Sequence, residues 1–197
     1  MKSNFSIQDT IILLGDSPFI STIEGELPYL LNKYYSIGIN SIILKYHTTY
    51  NIFTDPGMAQ YTNRYPDINT ICPESISALV FKENKECINT YSFDVRKDKE
   101  KDIIKNNRLA WCGFTHDYAL SYCIWKGWKN VILIGVADFI NGVHYSRQKD
   151  NFVFSEKLKV QSKKFIEEFC SKKITIKTCN PNSYLSVPYI SLDELLG

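Results

Sequence analysis

Apolar residues come in short unbroken runs, and most runs end on glycine, asparagine or proline. The first is Ile11–Leu14, followed by Gly15-Asp16-Ser17-Pro18. Four consecutive apolar residues closed by a glycine predict a strand buried on both faces. Between 16 and 35 only Leu27 to Tyr35 has helical character. "YSIGINSI" from Tyr35 is the next predicted strand, and "TYNIFTDPG" a third, stopped at Asp55-Pro56-Gly57. The stretch from about 58 to 108 is less regular. In it "SALVFK" (77–82) and "CINTYSF" (87–93) read as strands, and "RKDKEKDIIKNNR" as a charged loop or lid.

Periodicity then changes. In "GFTHDYALSYCIWKGW", Phe114, Tyr118, Tyr122 and Trp125 recur at helical spacing, Thr115 is the expected N-cap, and Gly127 suits the stop. Val131–Ile134 is apolar on every position, as in a central parallel strand, and ends at Gly135. A second amphipathic helix follows with Leu158, Phe165, Ile166 and Phe169 on one stripe, then a strand in "KITIKTC" and a short helix in "SLDELL". Alternating strands and helices give an α/β class: a single Rossmann-like domain over residues 1–197, its mostly parallel sheet flanked by helices. Ligands bind such sheets beyond the carboxyl ends of the strands. Four polar turns are expected there: Gly15–Pro18, Asn40–Ser41, Asp55–Gly57 and Gly135–Asn141.

Composition narrows the chemistry. The formal charge of +2 and interspersed signs exclude a general nucleic-acid binder. Six cysteines without a C-x-x-C pair read as reduced, structural thiols. With no apolar leader at the N-terminus and no run of spanning length, a cytoplasmic protein without a transmembrane segment is expected. The Walker loop, the G-x-G-x-x-G fingerprint and the G-x-S-x-G elbow are all absent. Of the three histidines, at 47, 116 and 144, His116 is expected to cap or pack on its helix. His144, in "GVADFINGVHYSR" after the central run, is the candidate general base.

The order of these turns resembles that in the bacterial lipooligosaccharide sialyltransferases that use CMP-sialic acid. It is more distantly similar to the archaeal pterin pyrophosphokinase-like group. Gly15-Asp16-Ser17-Pro18 stands where the family has Gly-Asn-Gly-Pro-Ser, Asn40 where it has an Asn, and Asp55-Pro56 where it has Asn-Pro. The stretch from Gly113 through Asp138-Phe139, Asn141-Gly142 and Tyr145 follows the same order, as does the closing "PNS" turn.

The resemblance implies a metal-independent, inverting glycosyltransferase. Its substrates would be a CMP-sugar and a glycan hydroxyl, with no permanently bound cofactor. Gly15, Asp16, Ser17, Pro18, Asn40, Asp55, Gly113 and Asp138 would face the nucleotide. Tyr145 would assist the leaving phosphate and His144 would act as base. Two departures stand out: Ile140 near the place of the first phosphate tyrosine, and Phe154 where the family places its catalytic histidine. Phe154 favours a non-catalytic nucleotide-binding relative as the alternative. A Mg²⁺-dependent pyrophosphokinase or nucleotidyl transferase using Asp16, Asp55 and Asp138 is a second alternative. Homo-oligomerisation is compatible with the sequence.

Overall fold

A computed structural model of the chain describes residues 6–64, 68–83, 90–96, 108–110, 113–136 and 156–197. Eight strands form one sheet: β1 (Thr10–Leu14), β2 (Tyr35–Ile39), β3 (Tyr50–Ile52), β4 (Asn69–Pro73), β5 (Thr90–Arg96), β6 (Arg108–Ala110), β7 (Asn130–Ile134) and β8 (Thr175–Thr178). Their order is β6-β5-β4-β3-β2-β1-β7-β8, and every pairing is parallel. The chain thus walks outward from β1 to β6, returns across the sheet, and places β7 on the other side of β1.

The unbroken apolar runs are explained by burial on both faces. Ile11 and Leu13 of β1 pack with Ile37, Val131 and Leu133 beneath α3 (Thr115–Lys126) and the helix that starts as α4 (Glu156–Lys164). Ile12 and Leu14 point the other way, into a cluster with Ile20, Leu27, Leu30, Ile132 and Ile134. That second face is covered by α1 (Leu27–Lys33) and α5 (Leu192–Leu196). Fully burying each such side chain contributes about 1.5–3 kcal/mol. The terminal helix is tied down as well: Lys33 Nζ donates to the carbonyls of Leu195 and Leu196 at 2.8 and 2.7 Å. A cation at a helix C-terminus also complements its partial negative charge.

One expected strand is a helix. Ser77–Lys82 falls inside α2 (Glu74–Glu83), where Ile76 and Val80, one turn apart, close a small core with Phe53, Met58 and Cys72. "CINTYSF" contributes to β5, whereas residues 97–107 of the charged segment lie outside the described residues. The second amphipathic helix is as expected, with a π turn over Phe165–Phe169 that seats buried Ile166 in the main core. Cys72, Cys123, Cys170 and Cys179 are buried thiols. Among the described residues, no helix is long and apolar enough to cross a membrane.

Candidate functional site

The register fixes which turns share an edge. Leu14 lies opposite Gly38 on one side and Ile134 on the other, and Ile39 lies opposite Ile52. Gly15-Asp16-Ser17, Asn40-Ser41, Thr54-Asp55 and Gly135-Val136 therefore leave the sheet along one rim, beyond the carboxyl ends of the strands. At β1 and β7 the strand order reverses. The chain leaving β1 goes to the α1 face, and α4, which follows β7, covers the other face. Diverging connections of this kind open the crevice in which doubly wound sheets bind ligands.

The two glycines at the reversal are in contact. A Cβ on Gly15 would lie 2.2 Å from the carbonyl oxygen of Gly135, and Gly135 itself sits at φ +62°. Gly15 N–H donates to Ile134 O at 2.8 Å and Ser17 N–H to Gly135 O at 3.3 Å. The hydroxyl oxygen of Ser17 accepts the Phe19 N–H at 3.2 Å, capping the short turn that opens with Pro18. The β1 turn is therefore locked onto β7 by its own backbone donors.

Next to it, Ser41 Oγ donates to Asp16 Oδ2 at 2.6 Å. Asn40 adopts φ 54°, an uncommon left-handed conformation for a residue with a side chain. Its Oδ1 is buried without a hydrogen-bond partner. On β3's exit, Thr54 and Thr115 share a hydroxyl–hydroxyl bond of 2.9 Å, which brings the N-terminus of α3 to the same rim. Asp55 is exposed, and its Oδ1 accepts the Gly57 N–H at 2.8 Å in an Asx turn.

Phe114, rather than Thr115, caps α3. The cap works through a residue further on: the Phe114 N–H donates to Asp117 Oδ2 at 3.2 Å. Asp117 is fully buried, and its other oxygen accepts the Ser162 hydroxyl at 2.5 Å. Because that hydroxyl has one proton, the 2.9 Å contact between His116 Nε2 and Ser162 Oγ requires the imidazole to donate. His116 stacks on Phe114 with ring centroids 5.1 Å apart. Burial pushes its pKa down to about 3, so it is neutral near pH 7 and its 3.6 Å approach to Asp117 is no ion pair there. Histidine, serine and aspartate here have a triad's composition but not its order. The carboxylate holds the serine instead of orienting the imidazole, and Ser162 is fully buried. The cluster joins α3 to α4. It also fixes the turn at Gly113, where a Cβ would meet Leu158 of α4 at 2.8 Å.

Of the residues singled out from sequence, Gly15, Asp16, Ser17, Pro18, Asn40, Asp55 and Gly113 occupy this rim or the turns leading from it. Asp138, His144, Tyr145, Ile140 and Phe154 lie outside the described residues. His47 is exposed in the segment returning to β3. Reasoning from sequence placed the Asn40–Ser41 turn at the rim but gave Ser41 no role, and missed Thr54, Ser162 and the buried role of Asp117; of these last three only Asp117, an acid in a first helical turn, carried a local signal. Among the described residues, no cluster of three or more His, Cys, Asp or Glu could hold a metal. At the opposite edge, a basic depression is lined by Gly127, Trp128, Lys129, Ser171, Lys172 and Lys173. Of its lysines, Lys129 Nζ pairs with Asp9 Oδ2 at 3.1 Å, and Lys173 Nζ lies 5.2 Å from the centroid of the Phe169 ring.

No family model matches the chain, and no curated protein matches it. Among solved structures, the MAf glycosyltransferase from Magnetospirillum magneticum AMB-1 superimposes with a TM-score of 0.70 at 10% identity. The chain shares its fold with part of a glycosyltransferase. The match covers 98% of this chain and 35% of that one, so the chain spans about a third of the larger protein.

Proposed function

We propose that the chain is a glycosyltransferase-like protein that binds a nucleotide or sugar nucleotide of CMP-sugar type at the β1–β2–β7 rim. It transfers the sugar to a hydroxyl acceptor, inverting the anomeric carbon without a metal. The observation that carries this reading is the gathering of Gly15–Ser17, Asn40–Ser41, Thr54 and the α3 N-terminus at the reversal of strand order. The shared fold with a glycosyltransferase supports it, as does the ordered resemblance to the CMP-sialic acid enzymes. A cytoplasmic location and a glycan acceptor belong to the same proposal.

Inverting transfer needs a base to take the acceptor proton and a donor to the departing phosphate. His144 and Tyr145, which follow β7 in sequence, are assigned these roles, with Asp138 on the nucleotide side. The described part of the rim offers no competing imidazole, because His116 is buried against Ser162. The test is nucleotide release from a panel of CMP-, UDP- and GDP-sugars, with and without EDTA. The expected result is release from a CMP-sugar that survives EDTA and falls at least about a hundredfold in His144→Ala. No release from any donor, or an equally active variant, would contradict it.

A second reading is a nucleotide-binding relative without chemistry, favoured by Phe154 at the family's base position. It predicts thermal stabilisation by CMP without release. Loss of release in EDTA would instead favour Mg²⁺-dependent phosphoryl or nucleotidyl transfer.

A further inference from the structure

The edge opposite the rim, where β1, β2, β7 and β8 begin, gathers positive charge and aromatic surface. Lys126 and Lys129 stand between α3 and β7, Lys172 and Lys173 just before β8, and all four are exposed. Asn130 pairs with Thr10 on one side and Thr175 on the other, which sets these segments side by side. Asp9 answers one of the lysines, accepting from Lys129 Nζ at 3.1 Å. Among the described residues, Lys172 and Lys173 have no carboxylate partner. Lys173 instead holds its Nζ 5.2 Å from the Phe169 centroid, a charged head beside an apolar body. Tyr35, the first residue of β2, is 49% exposed and packs on Trp128 with ring centroids 5.2 Å apart. Ile7, just before β1, is 45% exposed.

This edge is poorly built for a small anion. The N–H groups of Gly127, Trp128, Lys129, Lys173, Ile174 and Thr175 already donate to backbone carbonyls, so they form no cradle. Ammonium groups on flexible stems act instead as a diffuse field, which complements a surface carrying many anions. The formal charge of the chain is only +2, so the field is local to this edge. Its aromatic and aliphatic neighbours suit the headgroup level of a bilayer, where rings with an apolar body and a polar tip settle. We propose that this edge docks on an anionic lipid bilayer, its lysines against the headgroups and Tyr35 and Ile7 at the boundary below them. The rim, at the other ends of the same strands, then faces the aqueous side. The inference does not depend on what the rim binds.

The test is co-sedimentation of the full chain with phosphatidylcholine vesicles that contain or lack phosphatidylglycerol. The variants are Lys172→Glu with Lys173→Glu, and Tyr35→Ser, which leaves the charge unchanged. Lys157→Glu with Lys164→Glu removes the same charge from exposed positions of α4. The native chain is expected to bind the anionic vesicles at least about tenfold more tightly than neutral ones, with the difference shrinking in high salt. Binding should weaken at least about tenfold in the 172/173 pair and at least about threefold in Tyr35→Ser. The α4 pair should stay within about threefold of native, and melting temperatures show that each fold is retained. No binding to anionic vesicles at low salt overturns the inference. Equal weakening by the two charge-reversed pairs also overturns it, since net charge rather than this edge would then be responsible. An unaffected Tyr35→Ser removes the seating and overturns it too. Duplex DNA bound as tightly as the vesicles would assign the edge to polyanions at large, again overturning it.

Discussion

Gly15 and Gly135 show how much can depend on a missing side chain. Both were visible in the sequence as glycines ending apolar runs. That their turns touch was not, because the contact joins strands far apart in the chain. A Cβ placed 2.2 Å from a backbone oxygen cannot be relieved by a rotamer change. Gly15→Ala is expected to cost about 2–4 kcal/mol, read as a lowered midpoint in urea. His116 gives a pH prediction at the same scale. An imidazole with a folded pKa near 3 and an unfolded one of 6.5 takes up its proton more readily when unfolded. Its contribution is complete above about pH 6.5 and is lost as pH falls toward 3, at up to roughly 1.4 kcal/mol per pH unit. Melting temperatures between pH 7 and 4 should fall less steeply in His116→Gln than in the native chain. Equal slopes would contradict the buried neutral assignment.

Among the elements, α3 and α4 are held together by a polar contact inside a buried layer. Residues Thr115 to Cys123 are all buried, so Asp117 must find its partners there. Ser162→Ala leaves that carboxylate short of a donor and is expected to destabilise the fold by about 1–3 kcal/mol. Glu156→Ala removes only the exposed end of a pair with Lys159 on the same helix, and should change stability by about 0.5 kcal/mol or less. Denaturant titration of the two variants compares them directly; equal effects would contradict the role given to Ser162. Element types were readable wherever one pattern ran long enough, as in β1, β7 and α3. Ser77–Lys82 was misread because an isolated six-residue apolar window fits strand and helix alike. The deciding residue, Ile76, sits just before it and pairs with Val80 only in the folded core. The cap of α3 was placed one residue late, since a threonine beside the helix start looked like the acceptor that Asp117 supplies from within.

Over the whole molecule, alternation of strands and helices was enough to anticipate a parallel sheet with both faces covered, and hence a rim of strand-end turns. Strand order was not readable, because nothing local tells β7 to return beside β1. That return creates the reversal on which the site depends. Among the described residues, hydrogen exchange should be slowest in β1, β2 and β7, which are flanked by strands on both sides, and faster at the β6 and β8 edges. The central claim is that a nucleotide occupies the rim at this reversal. Amide exchange with and without saturating CMP tests it most directly. Among the described residues, the account predicts added protection confined to residues 15–18, 40–41, 54–55 and 113–116. Protection at the lysine-lined opposite edge around 127–129 and 171–173, or none anywhere, would contradict it.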